Sequence, residues 1–82
     1  MNMNQTITYY IQKNAPIEID DVSKAKSFVE DLGYDSIGLI QLVIDIEENL
    51  GIKFDDEQLN MDFLNDIDKF IEYIHIELSN KQ

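Results

Sequence analysis

The sequence predicts an all-α fold, on three observations. Apolar residues recur at helical spacing in three separate stretches. Glycine and proline are scarce, at three and one, which disfavours a turn-rich sandwich or barrel. The chain has 82 residues, enough for one core and too few for two, so residues 1–82 read as a single domain.

The elements follow in order. Met3, Ile7, Tyr10 and Ile11 share a helical face, so the first helix covers about residues 3–13 and stops before Pro16. A long connection follows. Ile17, Ile19 and Val22 are expected to pin it across the core, because so long a loop in so small a domain needs anchors. A short turn is expected within residues 25–31, and Gly33 closes the connection. The second helix starts at Ser36, read as its N-cap because a serine hydroxyl accepts a free backbone N–H of the first turn. It runs to about Leu50, and Gly51 ends it. Gly38 inside its first turn costs about 1 kcal/mol relative to Ala. Residues 56–59 are expected to make one short turn. The last helix starts near Asn65 or Asp66 and ends near Leu78, with Ile67, Phe70, Ile71, Ile74 and Leu78 as its apolar stripe.

Charge bounds the function. Hydrophobic residues at 44% and charged residues at 28% are ordinary, but the net charge is −11. Nucleic-acid phosphates and anionic membrane surfaces both need Lys and Arg, so neither is an expected partner. Basic proteins are, through electrostatic steering. The acids cluster: residues 1–29 carry no net charge, residues 30–57 carry −8 and residues 58–82 carry −3. Cysteine is absent and His75 is the only histidine, so thiolate chemistry and a histidine-rich metal site are excluded and no metal site is expected. No uncharged apolar run approaches the ~20 residues of a membrane helix. The N-terminus lacks the basic start and apolar run of a secretory signal, which makes the expected location cytoplasmic. The side chains for general acid–base or covalent catalysis are few, so no catalytic residue is expected.

The second helix has two apolar faces. At 100° per residue, with Ile37 at zero, Leu39, Leu42, Val43, Ile46 and Leu50 fall between about 140° and 240°. Ile40 and Ile44 fall on the other side with Ile37, together with Gln41 and Glu48. An 82-residue domain can hardly bury both faces, so the second stripe is read as a partner surface. Asp35, Asp45 and Glu48 border it, giving an apolar strip with an acidic rim that suits a basic-rimmed groove.

Residues 28–37, Phe-Val-Glu-Asp-Leu-Gly-Tyr-Asp-Ser-Ile, resemble the attachment motif of the acyl carrier protein family. The resemblance continues through Leu42-Val43-Ile44, residues 46–52, residues 54–57 and on to Ile74, covering about residues 5–76. It implies a four-helix bundle of three long helices and one short, with a long loop between the first two. It implies a 4′-phosphopantetheine arm, derived from coenzyme A, on Ser36. A phosphopantetheinyl transferase using Mg²⁺ would attach it, and the arm's thiol would carry acyl or aminoacyl groups as thioesters. That gives thiol chemistry to a chain without cysteine. The implied partners are this transferase and the loading and condensing enzymes, docking with basic surfaces on Asp35, Ile37, Ile40, Gln41, Ile44, Asp45 and Glu48 of a monomer. The residues agree, since a helix start favours a phosphodiester anion.

The chain departs from the family pattern in places. Fatty-acid-synthesis carriers usually have acids two and five residues after the serine, where this chain has Gly38 and Gln41. Tyr34 stands where a small residue is common, Ile37 where Leu is common, and Asp55 where proline is frequent. The pattern is more similar to free-standing carriers of polyketide, nonribosomal-peptide or other specialised pathways; a chain starting at Met1 and ending just past its last helix fits that expectation. The alternatives are a fatty-acid-synthesis carrier, or an unmodified acidic interaction module of the same fold. Other constellations are read as structural. Residues 55–57 lack the alternating ligand spacing of a calcium loop and read as a solvated helix start. Nothing in the spacing brings His75 to Ser36, so a Ser–His–Asp triad with Asp35 is set aside and His75 is expected half-buried. Tyr9, Tyr73 and Ile76 are expected on the surface or against loops.

Overall fold

In the computed structural model, which describes residues 2–80, Asn2 caps the first helix, α1, Met3–Asn14. The Asn2 side chain accepts the Gln5 N–H and the Gln5 side chain accepts the Asn2 N–H, so two orphan donors are satisfied reciprocally. Ile7 and Ile11 are fully buried. The helix ends at Ala15, because a residue before proline is pushed out of the helical region.

The long connection holds a 3₁₀ turn, Val22–Lys24, and then α2, Phe28–Leu32. The turn expected within residues 25–31 is therefore a helix of five residues, capped by Ser27. Val22 and Ala25 anchor the connection in the core, and Ile19 is half-buried. Ile17 does not anchor it and is 53% exposed; it lies on the surface beside Gly33 instead of entering the core. Gly33 ends α2 with φ +76°, a conformation that disfavours any side chain.

Helix α3 spans Ser36–Leu50 and ends at Gly51 with φ +68°. It buries Leu39, Leu42, Val43 and Ile46, while Leu50 is half-buried. A 3₁₀ turn, Asp56–Gln58, stands where one turn was expected, and α4, Met61–Leu64, follows it as a separate helix capped by Asn60. Helix α5, Ile67–Asn80, buries Ile67, Phe70 and Ile74, with Ile71 and Leu78 at the core's edge. The fold is an all-α bundle of three long helices, α1, α3 and α5, with short helices in its two connections.

One clasp joins the two connections. The Phe28 N–H donates to the Asn65 carbonyl and the Ile67 N–H to the Lys26 carbonyl, at 3.0 and 3.1 Å. The Asn65 side-chain oxygen accepts from both the Ser27 hydroxyl and the Val29 N–H. Asp31 braces the same corner, accepting the N–H groups of Lys26 and Ser27. Those two bonds hold its carboxyl below the ordinary carboxylate range. A group with a depressed folded pKa stabilises above its unfolded pKa and loses that contribution as pH falls through the folded value. Asp31→Asn should therefore lower the melting temperature at neutral pH, and the gap to wild type should close as pH is taken below the carboxylate range. A gap independent of pH would show that charge at this corner is irrelevant.

Among the described residues, no helix is long and apolar enough to cross a membrane. The chain ends, Met1 and residues 81–82, on which the free-standing expectation rested, lie outside the described residues.

Candidate functional site

Helix α3 is capped by Asp35, not Ser36. The Asp35 carboxylate accepts the Gly38 N–H at 2.7 Å from an extended backbone. A charged acceptor at the positive end of the helix dipole outcompetes a hydroxyl. The signal was present in the sequence, since aspartate immediately before Ser36 is as good a cap as serine. The consequence is chemical. Ser36 becomes the first helical residue, is exposed, and its hydroxyl has no hydrogen-bond partner among the described residues. No local hydrogen bond shields that oxygen.

Ser36 stands at the rim of an apolar cleft of about 330 Å³ between α3 and α4. Ile40, Val43 and Ile44 form one wall, and Leu59, Met61 and Leu64 the other. Ile37, Ile40 and Ile44 are 66%, 53% and 47% exposed, so the second stripe of α3 faces outward. Gln41 and Glu48 are exposed beside it. Leu59 and Met61 extend the apolar surface across the cleft. An anion held on the Ser36 oxygen fits this place: the N–H groups of Ser36 and Ile37 have no partner among the described residues and lie at the positive end of a 15-residue helix.

Asp45 is turned away from this surface. It pairs with Lys13 at 3.6 Å and accepts from Asn14 at 3.1 Å, both at the end of α1. Glu47, in contrast, lines the cleft, and its carboxylate accepts the Phe54 N–H at 2.8 Å. It fixes the strand of chain leading to α4, a role that spacing along α3 does not reveal. Tyr73 does similar work from α5: its hydroxyl accepts the Asp55 N–H and lies 3.1 Å from the Lys53 carbonyl oxygen. Tyr9 and Ile76 are surface residues. His75 is half-buried and meets Asn4 at 2.7 Å, on α1. Residues 55–57 sit at the start of the 3₁₀ turn and are exposed.

The acids are weakly compensated. Among the described residues two ion pairs form, Lys13–Asp45 and Lys26–Asp68, against a net charge of −11. Self-repulsion over residues 30–57 then opposes folding. Raising the salt concentration toward about 0.5 M, where screening acts within a few ångströms, should raise the melting temperature. A flat or falling melting curve with salt would show the repulsion already offset.

The family model described as "Phosphopantetheine attachment site" matches residues 5–74. The chain is similar to an acyl carrier protein of Nitratidesulfovibrio vulgaris (strain DSM 19637 / Miyazaki F), 37% identical over 57 residues, or 70% of this chain and 75% of that one. It is also similar to an acyl carrier protein of Buchnera aphidicola subsp. Schizaphis graminum, 32% identical over 74 residues, or 90% of this chain and 91% of that one. No solved structure matches it.

Proposed function

The chain belongs to the acyl carrier protein family, and from that premise we propose that Ser36 carries the 4′-phosphopantetheine arm and presents acyl or aminoacyl groups to separate biosynthetic enzymes. The observation that carries this is the exposed, unpartnered Ser36 hydroxyl at the first position of α3, on the rim of the apolar cleft. When bound, the arm supplies a thiol for thioester linkage. The chain's own residues do the rest. Asp35 caps the helix and leaves the hydroxyl free. The helix start favours the phosphodiester. The cleft walls of Ile40, Val43 and Leu64 offer an acyl group shelter from water.

Ile37, Ile40, Gln41, Ile44 and Glu48 form the surface that partners meet, apolar at the centre and acidic toward the helix's end. Basic-rimmed enzymes, the transferase first among them, fit it. Gly38 and Gln41, in place of acids, support a carrier of a specialised pathway over one of fatty-acid synthesis. Catalysis stays with the partners.

The test is intact mass. Incubation with coenzyme A, Mg²⁺ and a broad-specificity phosphopantetheinyl transferase should add one arm, and Ser36→Ala should abolish the addition. Addition at Ser23, Ser27 or Ser79, or none at all to the wild-type chain, would overturn the reading.

A further inference from the structure

Two of the positions where this chain departs from the carrier pattern touch each other. Tyr34 is 2% exposed, and its hydroxyl donates to the Ile11 carbonyl at 2.5 Å. That carbonyl lacks its ordinary helical donor. The Ala15 N–H turns instead to Gln12, and residue 16 is proline. Tyr34 thus satisfies an orphan acceptor at the end of α1, where it would otherwise be buried unpaired. Burial raises its pKa well above the ordinary tyrosine value, so the hydroxyl remains a donor. Its ring also stands edge-on to Phe28, with centroids 5.2 Å apart.

Gly38 lies against the same ring. A Cβ there would come within 3.2 Å of Tyr34 Cδ1 and 3.3 Å of Asp35 Oδ1, closer than ordinary contact. Neither neighbour is free to yield. Tyr34 is held at both its hydroxyl and its ring, and the Asp35 carboxylate is held by the Gly38 N–H. Any side chain at 38 therefore presses on the two residues that immediately precede Ser36.

We propose that Tyr34 is a positioning residue for Ser36, and that Gly38 is the vacancy that lets it act. Tyr34 ties the turn of residues 33–36 to the end of α1, and Asp35 ties the same turn to α3. The two departures are one exchange: a large residue before the serine and none after it replace a small residue before and an acid after. The transferase accordingly meets a serine held from behind, with backbone and apolar surface where an acid would project. This inference rests on Ser36 carrying the arm.

The experiment measures kcat and KM for arm transfer from coenzyme A by a broad-specificity transferase, with the carrier as varied substrate. It is run where circular dichroism shows each variant fully helical. Tyr34→Phe keeps the ring and removes the tie. Gly38→Ala adds one methyl group. Each should lower kcat by about tenfold, within the loss that ångström misplacement of a nucleophile causes. KM should hold, because the stripe of Ile37, Ile40 and Ile44 is untouched. In a Tyr34→Leu background, Gly38→Ala should have a clearly smaller effect, because its press on the ring is gone and only the approach to Asp35 Oδ1 remains. Wild-type kcat in folded Tyr34→Phe would overturn the proposal, as would an undiminished Gly38→Ala effect in the Leu background. Should Tyr34→Leu fail to fold, Tyr34→Phe alone decides. A wild-type chain that takes no arm would overturn the carrier reading and this proposal together; a modified wild type with unaffected variants would overturn this proposal alone.

Discussion

Phe70→Ala should cost about 3–5 kcal/mol, the range for removing a buried aromatic ring. Phe70 is fully buried on α5, and its ring meets Phe28 of α2 at 5.1 Å and Phe54 at 5.4 Å. Truncation therefore opens a cavity where three segments converge, and no single neighbour can collapse into it. A domain of this size has a total stability of only about 4–12 kcal/mol. The variant should lose a large share of its margin and unfold at far lower denaturant or temperature than wild type. Chemical denaturation followed by circular dichroism measures this. A loss under about 1.5 kcal/mol would mean that the ring cluster is loosely packed.

The second large effect is a contrast on one helix. Leu42 and Ile44 stand two residues apart on α3, one fully buried and one 47% exposed. Leu42→Ala should cost about 2–5 kcal/mol and leave the affinity of the folded fraction for the transferase unchanged. Ile44→Ala should change stability by about 0.5 kcal/mol at most, as surface substitutions do. It should weaken partner binding by more than about 1 kcal/mol, as truncation of an interface anchor does. Glu48→Lys should slow association with a basic partner and flatten its salt dependence. Equal destabilisation by Leu42→Ala and Ile44→Ala, with affinity unchanged, would make the stripe part of the core and remove the docking face.

Much of this was legible in the sequence because it depends on period and punctuation. The three long helices repeat their apolar residues often enough for a face to be counted, and Gly33 and Gly51 mark two of the breaks with positive φ. The outward face of Ile37, Ile40 and Ile44 follows from the same angular count. Helices α2 and α4 were not legible, since five and four residues make barely more than one turn and cannot show a period. In the sequence Tyr34 stands out only as a departure from the family pattern. Its place is set by the Ile11 carbonyl, 23 residues earlier in the chain. Asp45 lies between the two faces of α3, and Lys13 and Asn14 on α1 decide which way it turns. Asp35 and Ser36 are both good caps side by side in the sequence, and only the geometry of the first turn separates them.

The clasp at Asn65 has a consequence for how the chain folds. It closes a loop of 38 residues between Ser27 and Asn65, whereas the three long helices form from neighbours in the chain. Closing such a loop carries an entropic cost that grows as about (3/2)RT ln n, so it should follow the helices and their docking. The amides of Phe28, Val29 and Ile67 all depend on that one closure. Their protection from hydrogen exchange should be gained and lost as a set, at a lower free energy than the amides inside α3. The two short helices then form one cooperative unit, with α2 leading to Ser36 and α4 walling the cleft. Native-state exchange would see that unit open while the three-helix frame stays closed.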